Sequence, residues 1–194
     1  LGKIKNFFSN IFASLRRDLQ RDFNYIQMRL PVNEITKEFE DNLKNKIEHN
    51  IIHAKIREAK PEDLETIVEM HDKSWKSTPM PYHQLNKEKI LKLFDDPEIV
   101  FLLASVDSVD SGFIVLYFTG NKNEIGVIAG LGIIPELQRK GLGTILGMAA
   151  WDYFKKTNVK ELRCKVYKDN KISYDFIKGL GFKEYDRDIV TWKF

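Results

Sequence analysis

The stretch Leu131-Gly-Ile-Ile-Pro-Glu-Leu-Gln-Arg-Lys-Gly-Leu-Gly143 leaves an apolar strand, passes Pro135 and enters a basic turn with paired glycines. A long amphipathic helix follows. That order builds a cradle for a polyphosphate. Gly141 and Gly143 carry no Cβ, so the backbone can close tightly around an anion. The first N–H groups of the following helix have no acceptor within it and point at the cradle, helped by the positive end of the helix dipole. Arg139 and Lys140 add formal charge. A phosphate-bearing cofactor is therefore the first ligand to expect.

Two familiar phosphate loops fit poorly. The P-loop string GxxxxGK[ST] is absent. Gly141-Leu142-Gly143-Thr144 up to Gly147 reads GxGxxxG, near a dinucleotide fingerprint, with Glu161 beyond it. Yet Pro135 to Lys140 intervene between strand and turn, and Glu161 precedes the next apolar strand instead of ending it. Too little chain follows to complete a doubly wound sheet.

The quoted stretch resembles the acyl-CoA signature of the GNAT family of N-acetyltransferases, Q/R-x-x-G-x-G/A after a strand ending in a hydrophobic pair and proline. A second block agrees. Leu162-x-Cys164-x-Val166-x-x-x-Asn170, a helix and then Gly181-Phe182 look like that family's L-x-L-x-V-x-x-x-N…Y-x-x-x-G-F. The resemblance covers residues 55 to 194 and implies an α/β (α+β) fold. Its central sheet is mixed, mostly antiparallel, flanked by helices and splayed at an acyl-CoA cleft. It further implies transfer of the acetyl group of acetyl-CoA directly to a primary amine. Leu131, Gly132 and Ile133 would give backbone hydrogen bonds to the pantetheine arm. Gln138, Arg139, Lys140, Gly141, Leu142, Gly143 and Thr144 would hold the pyrophosphate, mainly through main-chain N–H groups. Asn170 would anchor the cofactor from the next strand, and an N–H near Ile133 would face the developing oxyanion.

The catalytic residues are harder to place. The family's usual acid, a tyrosine four residues before the Gly-Phe pair, is Ile177 here. Tyr174, one helical turn earlier, is the nearest substitute for protonating the leaving thiolate; its alternative is simple packing, with water or the substrate ammonium supplying the proton. The position aligned with the family's glutamate base is Val127, which leaves Glu124, acting through water or merely solvated at the strand's start. Trp75, Tyr82 and His83 fall where the family builds its acceptor pocket, each with a packing or bystander role as the plain alternative. His49 and His53 are four apart but lack a third ligand, so no metal is expected. Cys164 shares the inward register of Leu162 and Val166 and reads as core.

The rest of the chain bounds this reading. Its 194 residues, 43% apolar and 30% charged, suffice for one domain plus an extension. No apolar run is long enough to span a bilayer. A single cysteine fits a reducing, cytoplasmic setting. The net charge of +3 is too small to imply nucleic acid. Residues 1–53 read as a helical extension and 54–194 as the catalytic domain. The periodicity of Ile4, Phe7, Phe8, Ile11, Phe12, Leu15 and Leu19 predicts a basic amphipathic helix over 1–29. Pro31 breaks it, Asn33 offers a cap, and Ile35, Phe39, Leu43, Ile47 and Ile51 mark an acidic second helix. The pair is expected to fold onto its own domain or to make a homodimer, with peripheral membrane contact the less favoured use. Two rivals to the enzyme remain: a non-catalytic acyl-CoA sensor, suggested by Ile177, and an arm that binds membrane or partner. The acceptor, whether small amine or peptide or protein amine, is open.

Overall fold

Residues 25–82 and 84–185 are described by a computed structural model. Most of the expected first helix, His83 and residues 186–194 lie outside them. The part of the first helix that is described is a strand, β1 (Tyr25–Pro31). Met28 and Leu30 point inward, 0% and 5% exposed, while Arg29 between them is exposed. That is the period of two of a sheet, and burial on it overrides the helical period upstream. Pro31, with no N–H to give, ends the strand.

A short 3-10 turn at Val32–Glu34 leads into α1 (Lys37–Glu48). Thr36 caps this helix, not Asn33: Phe39 N–H donates to Thr36 Oγ1 at 3.1 Å. Residues 32–34 are unavailable because the 3-10 turn uses them, and Val32 N–H donates to Lys160 O at 2.8 Å. The acidic helix does cover its apolar stripe on its own domain. Leu43 is buried, Phe39 and Ile47 pack on the same core, and Ile51 is left in solvent beyond the helix. Glu40 accepts from Trp151 Nε1 at 2.8 Å and faces Lys155 Nζ at 3.5 Å. The Trp151 hydrogen bond holds the Glu40 carboxyl below the usual carboxylate range.

Among the described residues, seven strands form one sheet in the order β2-β3-β4-β5-β6-β1-β7. They are β2 (Ala54–Glu58), β3 (Ile99–Val106), β4 (Val109–Thr119), β5 (Ile125–Ile133), β6 (Glu161–Tyr167) and β7 (Lys183–Glu184) beside β1. Among the described strands, only the β5–β6 pair is parallel. β4 starts at Val109 because Asp107 and Ser108, φ 49° and 67°, reverse the chain in two residues. β1 lies between β6 and β7, so no boundary separates residues 25–53 from the domain that follows.

The helices divide between the two faces. One face carries α1, α4 (Leu142–Phe154) and α5 (Lys171–Gly179) over the larger core, in which Leu142, Leu146 and Phe154 are fully buried. The other carries α2 (Leu64–Lys76) and the short α3 (Lys87–Leu91), over Ile67, Met70, Leu103 and Phe113.

Candidate functional site

β5 and β6 pair from Ile125↔Glu161 only to Ile128↔Cys164. Beyond that point β5 continues to Ile133 and β6 to Tyr167 without a shared ladder, so the sheet opens there. β6 stays held on its other edge, paired with β1 from Tyr25↔Tyr167 to Pro31↔Glu161. The opening begins at a bulge. Val115 and Leu116 of β4 face Gly130 and Ile128, which leaves Ala129 as the extra residue. The bulge also changes which face the even-numbered residues take. A methyl group on Gly126 would meet Phe154 of α4, whereas on Gly130 and Gly132 it would meet Trp75 and Ser74 of α2. Leu131, Gly132 and Ile133 therefore line the gap with backbone on the α2 side.

At one end of the gap lies the glycine turn expected to bind phosphate. Gly141 is the N-cap of α4 at φ 88°, and Arg139 before it is left-handed too, at φ 58°. A left-handed N-cap demands glycine. Thr144 and Ile145 both donate to Gly141 O, at 3.0 and 3.2 Å, so the N–H groups of Leu142 and Gly143 are the ones left for an anion. The Leu142 side chain is fully buried and contributes only its backbone. Arg139 and Lys140 are exposed beside the loop. A Cβ on Gly143 would lie 3.1 Å from the Phe176 ring and 3.4 Å from Ile133. Free donors, a left-handed turn and two cations fit a pyrophosphate. The Gln138 side chain does something else. Its Nε2 donates to Ile133 O and to Ser77 Oγ, both at 3.0 Å, tying the end of β5 to the end of α2.

Across the sheet, α2 presents a second cluster. The Trp75 ring stacks on His71 with centroids 4.3 Å apart and on Phe113 at 6.3 Å. Its edge covers Gly130, where a methyl group would stand 3.8 Å away. Tyr82 OH donates to Asp72 Oδ1 at 2.9 Å, and Lys76 Nζ lies 5.0 Å from the Tyr82 ring centre. His71 is buried, and its Nδ1 has no hydrogen-bond partner among the described residues; Asp72 Oδ1 is 3.6 Å off. Burial pushes the His71 pKa below its ordinary value, so the ring is neutral at pH 7. Trp75 and Tyr82 thus meet at one place, whereas His83 lies outside the described residues. His71 and Asp72 were missed in the sequence. The only available signal was His71 and Trp75 at i, i+4 on one helix face.

Other expected residues fall elsewhere. Glu124 sits before the first residue of β5, at the closed end where β5 and β6 pair, and ion-pairs loosely with Lys160 at 4.0 Å. At about 3.3 Å per strand residue it is about 20 Å from Gly130, beyond reach of one bridging water. Tyr174 is half-buried and its hydroxyl donates to Glu184 Oε1 at 2.5 Å, a bond that raises its pKa. Ile177 points into the core at 6% exposure. Asn170 is 3% exposed and caps α5, its Oδ1 accepting from Ser173 N–H at 3.1 Å. Cys164 is buried, and burial pushes its thiol up to about 12, which leaves no thiolate for nucleophilic work. His49 Nδ1 lies 2.8 Å from Asn45 O, and no three metal-ligating side chains gather among the described residues.

Comparison with known proteins gives consistent results. The sequence profile of the acetyltransferase (GNAT) family matches residues 64–182. Spermidine N(1)-acetyltransferase of Thermoplasma acidophilum is 32% identical over 148 residues, which is 69% of this chain and 90% of that protein. The PaiA N-acetyltransferase of the same organism, solved in complex with coenzyme A, superposes with a TM-score of 0.63 at 30% identity. That match covers 71% of this chain and 94% of the other. An aminoglycoside antibiotic 6'-N-acetyltransferase of Acinetobacter baumannii superposes with a TM-score of 0.58 over 70% of this chain and 94% of its own. At 20% identity that likeness concerns the fold alone.

Proposed function

Because the chain belongs to the GNAT family of acetyltransferases, we propose that it acetylates a primary amine of a small polycationic molecule. The acyl donor is acetyl-CoA, which supplies the acetyl group as an activated thioester. The observation that carries the reading is the opening of β5 from β6, with the Gly141 loop at one end and the Trp75–Asp72–Tyr82 cluster across the sheet. In this reading Leu142 and Gly143 N–H groups hold the pyrophosphate, with Arg139 and Lys140 adding charge. The gap-facing backbone of Leu131–Ile133 orients the pantetheine arm and gives N–H donors where negative charge develops on the carbonyl oxygen. Asp72 and the faces of Trp75 and Tyr82 suit an ammonium group, and Lys76 already lies over one of those rings. The relative named for spermidine acetylation points to the same acceptor chemistry.

The reacting amine must be neutral, and holding it against the thioester carbonyl contributes through proximity. With isoleucine at 177 and Tyr174 turned to Glu184, the leaving thiolate takes its proton from water or from the amine itself. The test is turnover of acetyl-CoA with a panel of polyamines, aminoglycosides, peptide N-termini and lysine peptides, alongside Gly143→Glu. Polyamines or aminoglycosides are expected to lead the panel by tenfold or more in kcat/KM, and Gly143→Glu to lose CoA binding. Preference for peptides would overturn the acceptor class. CoA affinity unchanged in a folded Gly143→Glu protein would overturn the cofactor site.

A further inference from the structure

α1 and α4 run antiparallel. Glu40, near the start of α1, bonds Trp151 near the end of α4, and Asn50, just past the end of α1, reaches Gly141 at the start of α4. The two helices have 12 and 13 residues, so α1 spans α4 from end to end. A methyl group on Gly141 would sit 1.9 Å from Asn50 Nδ2, 2.6 Å from its Cγ and 2.8 Å from its Oδ1. The Asn50 carboxamide therefore lies directly across the left-handed glycine of the cradle. Its position is fixed from both sides. Asn50 N–H donates to Ile47 O at 3.1 Å in the last turn of α1, and Ile52 two residues on is buried. The carboxamide itself has no hydrogen-bond partner among the described residues.

This residue lies outside the region matched by the family profile, which begins at residue 64. We propose that Asn50 is a cofactor-binding residue contributed by the amino-terminal extension: its side-chain amide donates to the pyrophosphate of CoA beside the Leu142 and Gly143 N–H groups. The inference rests on the cofactor placement proposed above. An amide is well suited to the place. It adds a donor to an anion without a counter-charge, and it caps a cradle that the exposed Arg139 and Lys140 only flank. α1 then acts as a strut, transmitting its docking on Trp151 to the geometry of the phosphate loop.

The experiment is calorimetric titration of the full chain with CoA and, separately, with pantetheine, which lacks the pyrophosphate. Wild type, Asn50→Ala, Asn50→Asp and Gly143→Glu are compared, with thermal melts establishing that each is folded. Asn50→Ala is expected to weaken CoA about fivefold, the scale of one hydrogen bond. Asn50→Asp, nearly isosteric, is expected to weaken it further by placing a carboxylate against phosphate. Neither should change pantetheine affinity. CoA affinity in Asn50→Ala equal to or above wild type, while Gly143→Glu loses binding, overturns the role of Asn50 and leaves the cradle in place. An equal loss for pantetheine would likewise overturn it, by showing a general disturbance of the cleft. If Gly143→Glu also binds CoA normally, the cradle and Asn50 fall together.

Discussion

Replacing Met28 by alanine separates the strand from the helix that the upstream periodicity predicts. In β1 this side chain is 0% exposed, opposite Cys164 and adjacent to Glu184 in the two ladders. It belongs to the core that includes Leu30, Leu162, Leu180 and Phe182. Truncation removes three heavy atoms from a closed interior, for which Met→Ala costs about 2–5 kcal/mol. For a chain of this size each kcal/mol lowers Tm by about 2–4 °C. A loss of about 3 kcal/mol, or about 6–12 °C, is expected by urea titration and thermal melting. Arg29→Ala is the control, since Arg29 is exposed and faces Glu161 at 3.8 Å; it should cost at most about 1 kcal/mol. A continuous helix from Ile4 would set Met28 about half a turn out of phase with Leu19, on the polar side. Alanine there would be neutral or better. A Met28→Ala protein no less stable than Arg29→Ala would refute the strand and its burial.

Asn170→Ala should lower stability by about 0.5–2 kcal/mol through loss of the α5 cap, with or without CoA, and Asn170→Asp should restore most of it because its oxygen still accepts from Ser173; equal melting of all three proteins would refute the cap. Tyr174→Phe should leave kcat within about twofold, since general acid–base groups usually contribute 10²-fold or more and this hydroxyl is committed to Glu184; a hundredfold drop would reinstate it as the acid. His71 gives a pH signature with a definite sign. Above about pH 6.5 both folded and unfolded imidazoles are neutral, but below it the unfolded chain takes up a proton that the buried ring resists. Stability should therefore fall as pH drops from 7.5 to 5.5, by up to about 1.4 kcal/mol per unit below the unfolded pKa. His71→Gln should flatten that part of the slope, and identical slopes in the two proteins would refute the assignment.

The glycine turn before α4 was legible in the sequence because its requirements are local. A left-handed residue at the N-cap of α4 demands glycine, two basic residues precede it, and an apolar strand and helix flank it within one short stretch. The second block was legible for the same reason, with Leu162, Cys164 and Val166 alternating inward along β6. The resemblance makes Asn170 a cofactor anchor, whereas its observed bond is to the helix it caps. Glu124 precedes the central strand in sequence, and only the pairing of β5 with β6 at that end shows how far it stands from the opening.

From the sequence alone, then, came the expectation of an anion-binding turn, written in its glycines and basic residues, and, through the resemblance its two motif blocks carry, the fold class. Tertiary structure alone decided that Tyr25–Pro31 is a strand, because its partners, Glu161–Tyr167, are distant in the chain and strand propensity is set by the neighbours a segment meets. It also decided that Trp75 lies over Gly130 with His71 stacked on its ring, since the bulge at Ala129 turns that glycine toward α2. Asn50 reaches Gly141 for a reason of the same kind. Two helices of matched length pack antiparallel, and that contact is encoded in the shape of a core, not in any local pattern of residues.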